Sequence, residues 1–258
     1  MTLVLFKLFT APVLILVASL VARRFGPAIA GWLVALPLTS GPVAALLAVE
    51  HGPRFAQLAA EGSLTGMAAQ ACYAATYGHL ARRGHRWIVC SAAAAVAFVV
   101  AGALLIGLHL GIGGGAILAG AALLAALHAI GRPAAPPRDT ATPHWDLPLR
   151  MAIAGALVAS LTTIAEVIGP DRAGLMSTFP VFILVLSAFA HQREGPEAAR
   201  ALVRGLVMGL FGFGAFFVTV AVLATRAETA VVFGVATLAN LAVHGVALRL
   251  LRRRSAAG

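Results

Sequence analysis

The sequence predicts an all-α polytopic membrane protein, with about nine transmembrane helices arranged as two inverted four-helix repeats joined by one extra helix. The first reason is composition: 60% of the 258 residues are hydrophobic and 11% are charged, with a mean hydropathy of +0.94. That leaves too little polar surface to cover a water-soluble domain. The second is that apolar stretches of about 20 residues recur, the length a helix needs to cross roughly 30 Å of hydrocarbon. The third is an internal repeat.

The apolar stretches divide the chain into nine predicted spans. They cover residues 3–22, 28–50, 55–80, 87–108, 112–131, 148–168, 173–191, 199–224 and 229–250. The first span is read as a retained helix rather than a cleaved signal, because its basic residues, Arg23 and Arg24, follow the apolar stretch instead of preceding it.

The repeat relates the segment 26–83 to the segment 169–226 at a constant offset of 143 residues, with 15 identities in 58 aligned pairs. Glycine and proline dominate these identities: Gly26-Pro27 matches Gly169-Pro170, and Gly52-Pro53 matches Gly195-Pro196. Pro37 matches Pro180. Because glycine and proline set backbone geometry, the shared positions predict a shared fold for the two halves.

The repeat divides the chain into three parts. Residues 1–110 form repeat one with spans 1 to 4, and residues 148–258 form repeat two with spans 6 to 9 and a basic cytoplasmic tail. Residues 111–147 hold the unpaired fifth span and a linker with four prolines between Gly131 and Asp146.

The basic residues indicate orientation, because nine spans place alternate loops on opposite sides. One side collects 15 arginines against four basic residues on the other, Lys7, Arg54, Arg172 and Arg226. Since arginine and lysine are enriched in cytoplasmic loops, the N-terminus is predicted outside and the C-terminus in the cytoplasm. The net charge of +10 is thus interpreted as a topology signal, and nucleic acid is not an expected partner.

The unpaired fifth span inverts the second repeat relative to the first, because repeat two then begins on the opposite side of the membrane. Inverted repeats build many secondary transporters, because two equivalent packings of the halves give outward-open and inward-open states of similar energy.

Pro37 and Pro180 interrupt apolar segments near their middles. Each proline removes a backbone donor and frees a carbonyl, which in hydrocarbon needs a partner from a hydroxyl, water or a ligand. The candidate substrate-binding residues are these two prolines and the polar residues Thr39, Ser40, Gln70, Ser177 and Thr178. The alternative is that the prolines are packing kinks satisfied by local hydroxyls.

Two acidic residues fall inside predicted spans, Glu61 and Glu166. Intramembrane carboxylates are costly, so both are candidates for proton coupling or a gate at the outer side.

Two matched glycine pairs open the third and eighth spans: Gly62 with Gly66, and Gly205 with Gly209. The GxxxG spacing lets helix backbones approach closely and indicates helix packing.

The run from Ala173 through Phe179-Pro180 to Gly195 resembles the small GlpM-like bacterial inner-membrane proteins. The resemblance covers about 150–225 directly and the first half through the repeat, so the chain is similar to a fused, inverted pair of such units. Ser187 stands where the resemblance would place a histidine. The resemblance implies a bacterial plasma (inner) membrane location and does not imply an activity.

The sequence favours a secondary transporter or exporter of a small solute, with the lipid bilayer and that solute as partners. The competing class is a non-catalytic structural or accessory subunit in envelope assembly, and intramembrane catalysis ranks third. Metalloprotease, nucleophile-elbow and phosphate-loop motifs are absent from the sequence. The chain is therefore not expected to be an enzyme or to bind a metal or cofactor.

Overall fold

A computed structural model describes residues 2–38, 40–105, 107–108, 110–134, 145–168 and 179–255. Within these ranges the chain is helical and contains no strand. The helices are α1 (Thr2–Phe25), α2 (Pro27–Val34), α3 (Ser40–His51), α4 (Pro53–Arg82), α5 (Trp87–Leu105), α6 (Gly111–Ile130), α7 (Asp146–Ile168), α8 (Val181–Glu194), α9 (Pro196–Leu223) and α10 (Thr229–Ser255).

Four of the described helices, α5, α6, α9 and α10, are long and apolar enough to cross a membrane. Three of these four also turn large apolar side chains outward, as at Leu104 on α5, Ile117 on α6 and Leu238 on α10. An apolar exterior is unfavourable in water and is expected where lipid is the solvent. The all-helical fold and these apolar helices indicate a helical membrane protein.

Glycine-proline pairs end one helix and begin the next. Gly52 separates α3 from α4 with φ 86°, and Gly195 separates α8 from α9 with φ 91°. A side chain with a Cβ rarely adopts this backbone conformation, while the proline that follows suits the first position of a helix. The helices therefore reverse direction over a single residue at both places.

α2 and α3 are two halves of one interrupted helix, which lies alongside α9. Ala28 lies against Gly205, Ala35 against Gly209, and Gly41 against the Phe216 ring, so both halves advance along α9 in the same direction. The interruption lies between Val34, the last residue of α2, and Ser40, the first residue of α3, around Pro37. Because proline cannot donate the helical hydrogen bond and clashes with the preceding turn, the helix ends before it and restarts after it.

α4 and α9 form the centre of the molecule and run antiparallel. α5 and α6 pack on α4, α10 packs on α9, and α1 pairs with α7. The core between them buries large side chains such as Tyr73 and Leu64 of α4 with Leu210 and Phe217 of α9. The α1–α7 pair contacts the centre mainly through α2 and α8.

Helix limits recur in the two halves at the offset of 143 residues. α3 ends at His51 and α8 at Glu194 (51 + 143 = 194), and α4 begins at Pro53 and α9 at Pro196 (53 + 143 = 196). Pro12 of α1 faces its own counterpart, Gly155 of α7: a Cβ on Gly155 would lie 4.0 Å from the proline Cγ. Arg23 meets Asp146 further along the same pair, so α1 and α7 run in opposite directions.

α6, which has no counterpart in the repeat, is held at its C-terminal end by two arginines of α9. Arg200 Nη2 donates to the Ile130 carbonyl at 2.7 Å, and Arg204 Nη1 donates to the Gly131 carbonyl at 2.7 Å. The last carbonyls of a helix lack partners within it and carry partial negative charge, which guanidinium groups satisfy well. These arginines therefore fix α6 to the central helices.

Candidate functional site

A cavity of about 200 Å³ lies between the interruption of α2–α3 and the start of α8. The ends of three helices meet there: the last turn of α2, the first residue of α3 and the first turn of α8. α1, α4 and α9 supply the other walls. The described lining residues are Leu14, Val17, Ala18, Leu33, Val34, Ala35, Leu36, Leu38, Ser40, Ser63, Gly66, Met67, Gln70, Phe179, Pro180, Phe182, Ile183, Leu206, Leu210 and Phe213.

The lining is mainly apolar, and its described part contains no charged side chain. Its polar side chains are Ser40, Ser63 and Gln70, and the Ser63 hydroxyl donates to the Ala59 carbonyl of its own helix at 2.9 Å. The cavity thus offers a few hydrogen-bonding groups on an otherwise apolar surface.

The structure brings three of the predicted substrate-binding residues into one cavity: Ser40, Gln70 and Pro180. Pro37 stands in the interruption without lining the cavity, while its neighbours Leu36 and Leu38 do. The Leu38 amide bonds to the Leu36 carbonyl at 2.8 Å, and the Gly41 amide bonds to the Pro37 carbonyl at 2.9 Å. Thr39, Ser177 and Thr178 lie outside the described residues.

Glu61 is not among the residues that line the cavity. It belongs to a polar row on α4, in which Arg54 donates to Gln57 at 3.0 Å and Gln57 donates to Glu61 at 3.5 Å. Glu166 is placed near the end of α7, and its side chain lies outside the described part.

The four matched glycines have different neighbours. A Cβ on Gly205 would overlap with the carbonyl oxygen of Ala28, and a Cβ on Gly209 would lie 2.8 Å from the Trp32 carbonyl oxygen. Both glycines therefore let α9 touch the backbone of α2. Gly66 lines the cavity instead, and a Cβ on Gly62 would have no described atom within 4 Å.

A buried ionic cluster closes one end of the α1–α7 pair, and the sequence did not reveal it. Asp146, fully buried at the start of α7, has Arg150 at 2.9 Å, Arg23 at 3.6 Å and Arg193 at 3.8 Å. Burial raises the pKa of the neighbouring Glu194 above its usual value, with the nearby arginines opposing the shift. The cluster joins α1, α7 and α8 at the end where the sequence collects its arginines.

A second polar group that the sequence did not reveal lies between α4 and α8. The Tyr73 hydroxyl is 3.4 Å from Ser187 Oγ, the Tyr77 hydroxyl donates to the Ser187 carbonyl at 3.0 Å, and His191 Nδ1 is 3.3 Å from the Tyr77 hydroxyl. Tyr73, Tyr77 and Ser187 are fully buried. Their spacing on each helix was visible in the sequence, but the pairing of α4 with α8 was not.

A third buried group joins α2, α9 and α10. The Trp32 indole donates to the His244 carbonyl at 3.1 Å, and the two rings are 5.2 Å apart between centroids. The imidazole sits directly over Gly212, where a Cβ would overlap with it. Asn240 is buried one turn earlier on α10. This group lies behind the α2–α9 contact, and none of its side chains lines the cavity.

Function resides in sites rather than in folds, so the cavity, the helix ends that line it and the polar groups beside it are the features that bear on activity. Comparison with protein-family models, with curated proteins and with solved structures finds no match for this chain.

Proposed function

We propose that this protein is a secondary transporter or exporter of a small, uncharged solute, which binds in the cavity between the interruption of α2–α3 and the start of α8. The observation that carries the proposal is the cavity itself, lined by the residues on both sides of Pro37 and by Pro180. Discontinuous helices at matching positions of two repeats form substrate sites in many transporters. The opposite directions of α1 and α7 suit the same interpretation.

The proposed membrane arrangement has nine crossings, with α2–α3 acting as one crossing. The second half of the predicted span 173–191 is α8. The N-terminus is outside and the C-terminal arginines are cytoplasmic in a bacterial inner membrane, as the loop charges and the GlpM-like resemblance suggest.

The proposed solute is uncharged because the described lining gives no counter-ion. Moving a charged group out of water without an opposite charge beside it costs roughly several kcal/mol. Phe179, Phe182 and Phe213 provide apolar area, while Ser40 and Gln70 provide polar contacts. The volume of about 200 Å³ is below the range of roughly 300–1,000 Å³ typical of drug-sized ligands, which favours a small solute.

Alternating access predicts that Ser40 becomes reachable from each side of the membrane in turn. In a variant lacking Cys72 and Cys90, Ser40→Cys should react with a membrane-impermeant maleimide in both right-side-out and inverted vesicles. Complete labelling of Ser40→Cys from one side should then leave no free thiol to react with maleimide from the other side. Leu46→Cys is the matched control, because Leu46 is exposed on the apolar surface of the same helix and should not react.

A structural subunit with a sealed cavity would leave Ser40→Cys unreactive from both sides. Reaction from a single side only, under all conditions, would equally contradict alternating access.

A further inference from the structure

We infer that the proton is the coupling ion of this protein: His191 binds it, and Tyr77, Ser187 and Tyr73 transmit its binding to the cavity. The inference rests on the proposed transport function and adds what drives the transport, which is proton movement. The four residues form a seam between α4 and α8, called the α4–α8 seam here. Both helices contribute walls of the cavity.

The α4–α8 seam connects the cavity to one end of the molecule. On α4, Gln70 lines the cavity, and Tyr73 and Tyr77 follow at spacings of three and four residues, on the same helix face. On α8, Ser187 and His191 have the same relation. His191 is half-buried and lies at the end that holds Arg193 and Glu194, whereas the other three are fully buried. A proton can therefore reach His191 from water without crossing the apolar interior.

The repeat provides an internal control for the polarity of the seam. At the offset of 143 residues, the counterparts of Tyr73 and Tyr77 are Phe216 and Val220, and those of Ser187 and His191 are Ala44 and Ala48. The counterpart place between α3 and α9 is apolar where it is closest: a Cβ on Gly41 would lie 3.5 Å from the Phe216 ring. Helix packing at this place thus does not require hydroxyl or imidazole groups. The polar seam exists on one side of the molecule only, as a one-sided proton site requires.

Protonation of His191 changes the hydrogen bonds of Tyr77. The Tyr77 hydroxyl has one hydrogen and two neighbours that can accept it, the Ser187 carbonyl at 3.0 Å and His191 Nδ1 at 3.3 Å. Protonated His191 always carries a hydrogen on Nδ1 and donates it to the tyrosine oxygen, so the tyrosine hydrogen stays on Ser187. A neutral imidazole without that hydrogen attracts the tyrosine hydrogen and releases the Ser187 carbonyl.

The proton taken up from water remains on the imidazole, so the step needs no further reactant. Its effect is to strengthen or release a bond between two walls of the cavity. An effector shifts a two-state equilibrium only through a difference in its affinity for the two states. Here that difference is the bond of Tyr77 to the α8 backbone, present in one state and weakened in the other.

The other titratable and charged groups around His191 come from every helix packed at this end. α4 contributes Tyr73 and Tyr77, α5 contributes Cys90, α7 contributes Asp146 and Arg150, α1 contributes Arg23, and α8 itself contributes Arg193 and Glu194. On α9, Arg200 is engaged with Glu197 and the end of α6. The three arginines Arg23, Arg150 and Arg193 pair with Asp146, and the His191 ring contacts Tyr77.

The test measures the labelling rate of Ser40→Cys between about pH 5.5 and 8, in the cysteine-free background, divided at each pH by the rate of the free thiol glutathione, because the reactive thiolate fraction of any thiol rises with pH. In the parent this ratio should change at least about threefold across the range, as the proton shifts the equilibrium between states. His191→Gln should abolish the dependence, and Tyr77→Phe, which keeps the ring packing, should reduce it to within about 1.5-fold. His128→Gln is the control. It makes the same change at an exposed position in the last turn of α6 and should keep the parent profile.

The outcomes separate this inference from the transport proposal. If His191→Gln and Tyr77→Phe retain the parent profile, or if the parent shows no pH dependence while Ser40→Cys still reacts from both sides, proton coupling is wrong and transport stands. If both variants lower the melting temperature but leave the pH profile unchanged, the seam is structural only and the inference fails. Ser40→Cys that is unreactive from both sides overturns transport and, with it, the coupling.

Discussion

Gly205→Val is expected to lower the midpoint of thermal unfolding in detergent by roughly 10 °C, corresponding to a loss of about 4 kcal/mol for a chain of this size. A Cβ at this position would overlap with the backbone oxygen of Ala28, and backbone cannot rotate away as a side chain can. Gly31 makes the reciprocal contact, since its Cβ would overlap with the Leu202 carbonyl. α2 must therefore separate from α9 along the whole contact.

The separation also removes a wall of the cavity, because α2 ends in the cavity lining. Gly205→Ala should have a smaller effect in the same direction, since alanine adds one carbon atom where valine adds three. Gly234→Val is the control: Gly234 lies on α10, which packs on the same α9, and a Cβ there would have no described atom within 4 Å. A melting temperature of Gly205→Val within about 1 °C of the parent would show that the close α2–α9 contact does not exist.

Asp146→Ala is the second large effect, with an expected loss of about 3–5 kcal/mol of folding free energy. Asp146 is fully buried, and three guanidinium groups lie within 4 Å of its carboxylate. Its removal leaves three like charges close together without the carboxylate between them. It also removes a negative charge from the first residue of α7, where the helix dipole favours one.

A double-mutant cycle identifies the cause of this loss. Asp146→Ala combined with Arg150→Met should be less destabilised than the sum of the two single changes, because the second change removes one of the unpaired charges. Glu50→Ala removes an exposed carboxylate from the other half and should change the melting temperature by less than about 1 °C. Additive effects in the cycle would mean that Asp146 and Arg150 do not interact.

The sequence predicted the features of the fold that depend on local chemistry. The interruption at Pro37 follows from the missing amide of proline, and the reversals at Gly52 and Gly195 follow from the positive φ that glycine tolerates. Ser40, Gln70 and Pro180, chosen as candidate substrate contacts, lie around one cavity. Local rules carry this information because each depends on neighbours in the chain.

The features that sequence reasoning missed depend on which helices meet. The sequence puts Asp146 at the end of the linker before α7, and only the fold shows that Arg23 and Arg193 converge on it. Tyr77 and His191 are 114 residues apart, and each alone resembles an ordinary interfacial residue. A comparison of the two repeats could have revealed the seam, because its polar positions have apolar counterparts. Polarity that one copy has and the other lacks is not required by the shared fold.

Pulsed electron–electron double resonance measures distances between spin labels. It tests most directly whether the α1–α7 pair moves against α4 around the cavity. One label pair joins the α1–α7 pair to α4 at the arginine-rich end, at Arg24→Cys and Arg83→Cys. The other pair joins them at the opposite end, at Thr163→Cys and Arg54→Cys; all four positions are exposed. Alternating access predicts two distances for each pair, with one end lengthening as the other shortens when the pH is changed from about 8 to 5.5. A single narrow distance at both ends, unchanged under all conditions, would contradict transport by this protein.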